Sequence, residues 1–300
     1  MNLPSKENLL QIISDLKGVD LSKISYNRII NILMTDLKSI PYTRAKLKAG
    51  YHIERARINK TGEIFCSEEE ISYREDYQNI TEFGRANTPG MSLFYGTIAS
   101  DHIKYPRITN LLETSELFRN SNNESGEFVM TVGKWRIKED FEVAEIIFNR
   151  NCAEKIPYVK KAYEHHYKDL KEDFPNRIDD IMFVLEFFSD EFSKKEIKSH
   201  NDYKISAAYA EIAIFLKGLN GVVYPSVRTD YQGTNVALAI PAVEKYLDLE
   251  MAAMFRIYKN EKKSVMDNIC IATDLGQLKS NFKWEKITEA GEDIINRMLL

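Results

Sequence analysis

Apolar residues recur along this chain with two different spacings, and the spacings come in blocks rather than in strict alternation. Leu9, Ile12, Ile13 and Leu16 fall on one helical face, and Ile29, Leu33, Leu37 and Ile40 fall on a second, which Pro41 ends. From about residue 50 the period drops to two. "YHIERARI" alternates as a strand does, and so places Arg55 and Arg57 on one face. "MSLFYG" reads as a short strand, "RITNLLETSELF" as a helix, and "GEFVMTVGKWRI" as the clearest strand, followed by "FEVAEIIF". Residues 151 to about 217 return to helical spacing and end on an Ala-rich helix stopped by Gly218. "NGVVYPSVRTDYQGTNVAL" then reads as turn, strand, loop, strand. Strands on both sides of a helical block argue against regular βαβ winding and predict an α+β fold. The expected organisation is an N-terminal helical segment, residues 1–49, followed by a domain at 50–300 with a helical insertion at about 151–217.

Composition narrows the function classes. An apolar fraction of 44% is enough for a sizeable core. The formal charge of −4 argues against a nucleic-acid binder, which needs excess Lys and Arg to displace counterions from phosphates. Cys66, Cys152 and Cys270 stand far apart and form no CxxC pair, so a reducing compartment is expected rather than a disulfide framework. The opening "MNLPSKENLLQIISDLKG" lacks the apolar run of a signal peptide, and no segment reaches the roughly 18 apolar residues of a membrane span. The expectation is a soluble, cytoplasmic protein that engages neither nucleic acid nor membrane. No internal repeat or low-complexity tract is present.

Several catalytic signatures are missing. There is no GxxxxGK[ST], no GxGxxG and no G-x-S-x-G elbow. There is no HExxH, and the adjacent His165 and His166 would not share a helical face. No metal is expected.

Four places set polar residues in turn or strand-end context. They are Arg55 and Arg57 in "ERAR", Arg85 to Tyr95 in "FGRANTPGMSLFYG", Glu113 in "LLETS", and Ser226 in "YPSVRTDYQGTN". Each has an ordinary explanation when taken alone. A strand Arg is usually a surface charge, a strand-end Tyr a core-edge aromatic, a helical Glu a solvated carboxylate, and a Ser after Pro a turn residue.

Taken together and in this order, "GRANTPG" with "LFYG", then "LLETS", then "GVVYPSVRTDYQGTN" resemble the RES domain, from about residue 50 to about 240. The resemblance implies a β core like that of ADP-ribosyltransferases and an enzyme that consumes NAD by breaking the nicotinamide–ribose bond. Some RES proteins are toxins of toxin–antitoxin pairs, and some pass ADP-ribose to inorganic phosphate. The residues suit that chemistry. An Arg fork binds phosphate oxygens bidentately, so Arg85, with Arg55 or Arg57, is the expected clamp on the pyrophosphate. Bond breaking develops positive charge on the ribose, which a carboxylate such as Glu113 would stabilise. Tyr95 offers a stacking face. Ser226 would bond the ribose or an incoming phosphate, and Asn235 would brace that loop or bond the ligand.

NAD phosphorylase or NAD glycohydrolase is therefore the expected activity. Mono-ADP-ribosyl transfer and a non-catalytic nucleotide-binding or interaction role are the alternatives. Residues 1–49 and the insertion are additions to a compact RES toxin, suited to covering the pocket, replacing an antitoxin contact or building a homo-oligomer. "DLGQLKSNFKW" carries no functional reading.

Overall fold

The computed structural model describes residues 2–99, 106–119, 125–260, 264–273, 275 and 281–287. Most of the "DLGQLKSNFKW" stretch lies outside them. The strands, in chain order, are β1 (Thr43–Leu47), β2 (His52–Asn59), β3 (Phe94–Ala99), β4 (Gly126–Ile137), β5 (Phe141–Glu145), β6 (Gly221–Pro225), β7 (Thr234–Leu238), β8 (Leu247–Lys259), β9 (Ser264–Ala272) and β10 (Glu285–Lys286). The helices lie mainly in blocks, at 6–36 and at 150–216, set apart from the strands rather than alternating with them one by one, so the protein is α+β. Its contacts divide it into two compact units.

The first unit comprises residues 1–46, 75–93 and 141–239. The helix Lys6–Gly18 starts where the Ser5 hydroxyl accepts the Asn8 N–H, and it buries Leu9, Ile13 and Leu16. It is docked within the unit: Arg177 Nη2 donates to the Pro4 carbonyl at 2.7 Å, and the Lys17 ammonium lies 5.8 Å from the centre of the Phe187 ring. The helix Tyr26–Asn31 widens at its end, so that the Leu37 N–H reaches the Ile32 carbonyl five residues back at 2.9 Å. That turn buries Ile29, Leu33 and Leu37 completely. The helix Ile178–Phe192 is the centre of the unit. Its Phe188 and Phe192 pack on Tyr209, and Phe192 also meets Tyr224 of β6 at 5.1 Å. Strands run in the order β1-β5-β6-β7, with β5 and β6 parallel and β6 and β7 antiparallel. The stop expected at Gly218 is made by its left-handed φ of 71°.

The second unit comprises residues 47–74, 94–140 and 240–300. Its strands run β3-β2-β4-β8-β9-β10, antiparallel at the pairs β2–β3, β2–β4, β4–β8, β8–β9 and β9–β10. Period-two alternation gives this sheet two apolar faces. On one, Ala56, Met130, Val132, Ala253, Phe255 and Ile257 pack with Leu111 of the helix Pro106–Thr114. Burying the larger of these side chains, Leu111, Met130, Val132, Phe255 and Ile257, is worth roughly 1.5–3 kcal/mol each. On the other, Trp135 meets Phe94 edge-on at 4.9 Å. A Cβ at position 133 would lie 2.4 Å from the Trp135 ring, so only Gly fits beneath it.

One buried amide holds the helix Pro106–Thr114 on the strands. Asn110 Nδ2 donates to the Glu54 carbonyl at 3.0 Å, and its Oδ1 accepts the Thr97 hydroxyl at 3.1 Å. Replacing it with Ala would strand both partners in the interior. Asn110→Ala is expected to lower unfolding stability by about 1–3 kcal/mol. An unchanged urea midpoint would show that this amide is not what anchors the helix.

Candidate functional site

The second unit carries Arg55, Arg57, Tyr95 and Glu113. Arg55 and Arg57 share one face of β2, as the alternation requires. Arg55 donates from Nε to the Ser72 carbonyl at 2.9 Å and from Nη1 to the Tyr95 carbonyl at 2.7 Å, with its guanidinium 5.4 Å from the centre of the Phe94 ring. Burial, and then the like charge of Arg57, pulls the Arg55 guanidinium down to about 10, which still leaves it charged at neutral pH. Arg57 Nη1 donates to the Glu70 carbonyl, and its guanidinium lies 5.4 Å from the centre of the Phe65 ring.

Tyr95 is half-buried beside Arg55: its carbonyl accepts the Arg55 Nη1 bond, and its phenol bears electrostatically on the Arg55 guanidinium. The face of β3 that carries Thr97 is covered by the helix that carries Glu113. Glu113 is half-buried, one residue before that helix ends. Within this unit the structure therefore brings Arg55, Arg57 and Tyr95 together, and puts Glu113 on the helix that covers the opposite face of β2, where Ala56 meets Leu111.

That same face holds a carboxylate that the motifs did not single out. Glu54 is buried, with Arg107 Nε 3.4 Å from its Oε2. The pair is close enough for charge attraction, but Oε2 receives no hydrogen bond. Desolvation raises the Glu54 carboxyl above its ordinary range, against the pull of Arg107 and Lys134. Its only sequence signal is an acidic residue at an inward position of an alternating strand.

The first unit carries Arg85, Ser226 and Asn235. Arg85 donates from Nη1 to the Phe192 carbonyl at 2.5 Å and from Nη2 to the Lys194 carbonyl at 3.2 Å. Its guanidinium sits 5.1 Å from the centre of the Tyr203 ring. Ser226 is fully buried where β6 enters the hairpin loop. Its N–H donates to the Gly233 carbonyl and its carbonyl accepts the Tyr231 N–H, both at 2.8 Å. Asn235 is buried on β7, directly across from Tyr224.

The loop between these residues is backbone-strained. Asp230 and Tyr231 are consecutive non-glycine residues at φ 49° and 71°. Such conformations cost of order 1–3 kcal/mol each and persist only where neighbours enforce them. Here Lys155 Nζ holds both Asp230 oxygens, at 2.9 and 2.8 Å, and Lys195 Nζ approaches the first at 3.5 Å. Both ammonium groups also lie over the buried Tyr231 ring. Both lysines come from the expected insertion. Arg85 ends on Phe192 and Lys194, and Lys195 ends on Asp230. One short segment after helix Ile178–Phe192 thus ties Arg85 and the Ser226 loop into the same part of this unit.

All three candidate arginines are hydrogen-bonded to main-chain carbonyls, a use that nothing in the local motifs announced. A guanidinium has five N–H donors, so Arg85 and Arg55 each keep capacity beyond the two bonds described. Among the described residues, no group of three or more His, Cys, Asp or Glu side chains is placed to hold a metal ion, and no helix is long and apolar enough to cross a membrane. Compared with known proteins, the chain matches no protein-family model and no curated protein.

Proposed function

We propose that this protein consumes NAD by cleaving the nicotinamide–ribose bond, and that inorganic phosphate is the acceptor of the ADP-ribose. The reading extends to an ADP-ribosyltransferase-like core, a cytoplasmic location, and an antitoxin-like protein or a second copy of the chain as partner. The observation that carries it is the order of three separated motifs, "GRANTPG" with "LFYG", "LLETS" and "GVVYPSVRTDYQGTN". Their residue types are those that NAD cleavage needs: guanidinium groups for the pyrophosphate, a carboxylate for the oxocarbenium-like ribose, and a loop hydroxyl for the ribose or acceptor. Nicotinamide is a good leaving group, so no strongly placed general acid is required.

The strained hairpin loop that begins at Ser226 adds support, because backbone held off its minima clusters at ligand sites. A second reading has an observation of its own. Arg55 and Arg85 each spend two donors on carbonyls, which favours a non-catalytic nucleotide-binding or interaction protein in which these residues serve as internal staples. Transfer of ADP-ribose to a protein or small molecule is the neighbouring enzymatic alternative.

Incubation of the purified protein with NAD, with and without inorganic phosphate, separates these readings. Phosphate-dependent nicotinamide release, with ADP-ribose 1″-phosphate as product, is the expected result. Release independent of phosphate indicates a hydrolase. NAD binding without any release indicates the binding module and ends the enzymatic reading.

A further inference from the structure

The Arg85 motif is held by a side chain that no motif includes. Phe83, two residues before Arg85, donates its backbone N–H to His200 Nδ1 at 3.3 Å. Its ring stacks on the His200 imidazole, with centroids 5.9 Å apart and planes 12° from parallel. Tyr26 packs against the same ring at 5.2 Å, with its hydroxyl donating to Glu211 Oε2 at 2.6 Å. The Lys204 ammonium, bonded to the Leu21 and Ile24 carbonyls, lies 5.7 Å from the centre of the Phe83 ring.

The turn that supplies His200 also supplies Tyr203, the ring under the Arg85 guanidinium. It is a rigid turn. Ser199 accepts the Asn201 N–H, and the Asp202 carboxylate accepts the N–H groups of Lys198 and Ser199. One turn of the helical insertion therefore holds both ends of the segment Phe83-Gly84-Arg85.

We propose that His200 is the positioning residue of the Arg85 loop, and that it holds the loop only as a neutral imidazole. An imidazole nitrogen can accept a hydrogen bond only while it carries no proton. With the Phe83 N–H aimed at Nδ1, the neutral ring carries its proton on Nε2. A second proton would go to Nδ1, which then becomes a donor facing another donor. The new positive charge would also join that of Lys204, whose ammonium lies against the same Phe83 ring. Asp202 is the carboxylate of the turn, and its Oδ2 already accepts both the Lys198 and the Ser199 N–H. Stacking of the imidazolium on Phe83 returns part of the loss, but it does not restore the bond that fixes the backbone of residue 83. The loop thus docks at neutral pH and is released on acidification, and Arg85 is released with it.

The functional half of this inference rests on Arg85 contacting NAD; the structural half does not. Imidazoles change charge between about pH 5 and 8, so the Phe83 amide is followed by hydrogen exchange across that range, with NAD affinity titrated in parallel. The Phe83 amide should lose protection on acidification, and NAD should bind about 2- to 12-fold more weakly, the scale of one main-chain hydrogen bond. His200→Asn keeps an acceptor at the δ position that does not titrate. It should retain protection and affinity and should flatten both profiles, whereas His200→Ala should show low protection at every pH. Protection that is independent of pH, or an Asn variant with the same profile as the unmodified protein, overturns the proposal. If protection responds as expected while NAD binds equally at all pH values, the switch at His200 stands and the assignment of Arg85 to NAD fails.

Discussion

Changing Glu113 to Gln is expected to slow nicotinamide release about 100- to 1000-fold while NAD still binds, the scale on which one preorganised electrostatic stabiliser acts. The substitution preserves size and some hydrogen bonding and removes only the charge. Under the proposed reaction positive charge would develop on the ribose as the bond breaks, so the carboxylate would act mainly in the transition state. Its loss should lower kcat and kcat/KM together. The helix Pro106–Thr114 that carries Glu113 is anchored independently through Asn110, so the fold should tolerate the change, which a thermal melt of the same sample checks. Unaltered turnover in a folded Gln variant would remove Glu113 from the mechanism.

Arg85→Ala should fail differently. A pyrophosphate clamp is used in the ground state, so its loss should weaken NAD binding by roughly 1.5–3 kcal/mol, the scale of a charge-assisted hydrogen bond, and raise KM at least as much as it lowers kcat. The structure adds a second expected effect. The same substitution removes two bonds to the carbonyls of Phe192 and Lys194 and the contact with Tyr203. Stability should fall as well, by about 1–3 kcal/mol. Direct NAD titration and urea unfolding on one preparation separate the two. Loss of stability with normal NAD affinity would make Arg85 an internal staple and nothing more, in line with the binding-module reading.

Much of the architecture was legible along the chain. "GEFVMTVGKWRI" is β4 from its first residue to its last, because both faces of that strand meet apolar layers and its side chains alternate between them. The stripes at Leu9 to Leu16 and Ile29 to Leu37 are buried as helical faces. "NGVVYPSVRTDYQGTNVAL" is the β6–β7 hairpin. Other elements were not legible. β1 lies within residues expected to be helical, since "TRAKL" has a strand's alternation for only five residues and is completed by pairing beside β5. The long strands β8 and β9 went unread, although β8 pairs with β4 along its whole length. "MSLFYG" forms a strand only from Phe94, because the residues just before it belong to the turn chemistry of Pro89 and Gly90.

The candidate residues divide in the same way. Residue types in motif order, read through the resemblance to the RES domain, nominated Arg55, Arg57, Arg85, Tyr95, Glu113, Ser226 and Asn235. Period two alone was sufficient to place Arg55 and Arg57 on one face. What each group is bonded to was decided by tertiary structure. Arg85 meets carbonyls more than a hundred residues away, at Phe192 and Lys194. Asp230 and Tyr231 are held left-handed by Lys155 and Lys195. His200 reaches back to Phe83 across 117 residues. The physical reason is that a hydrogen bond or ion pair is settled within about 3 Å and within a narrow range of angles. Only the folded backbone brings distant donors and acceptors to that range, whereas periodicity and residue chemistry are already written in the order of the chain.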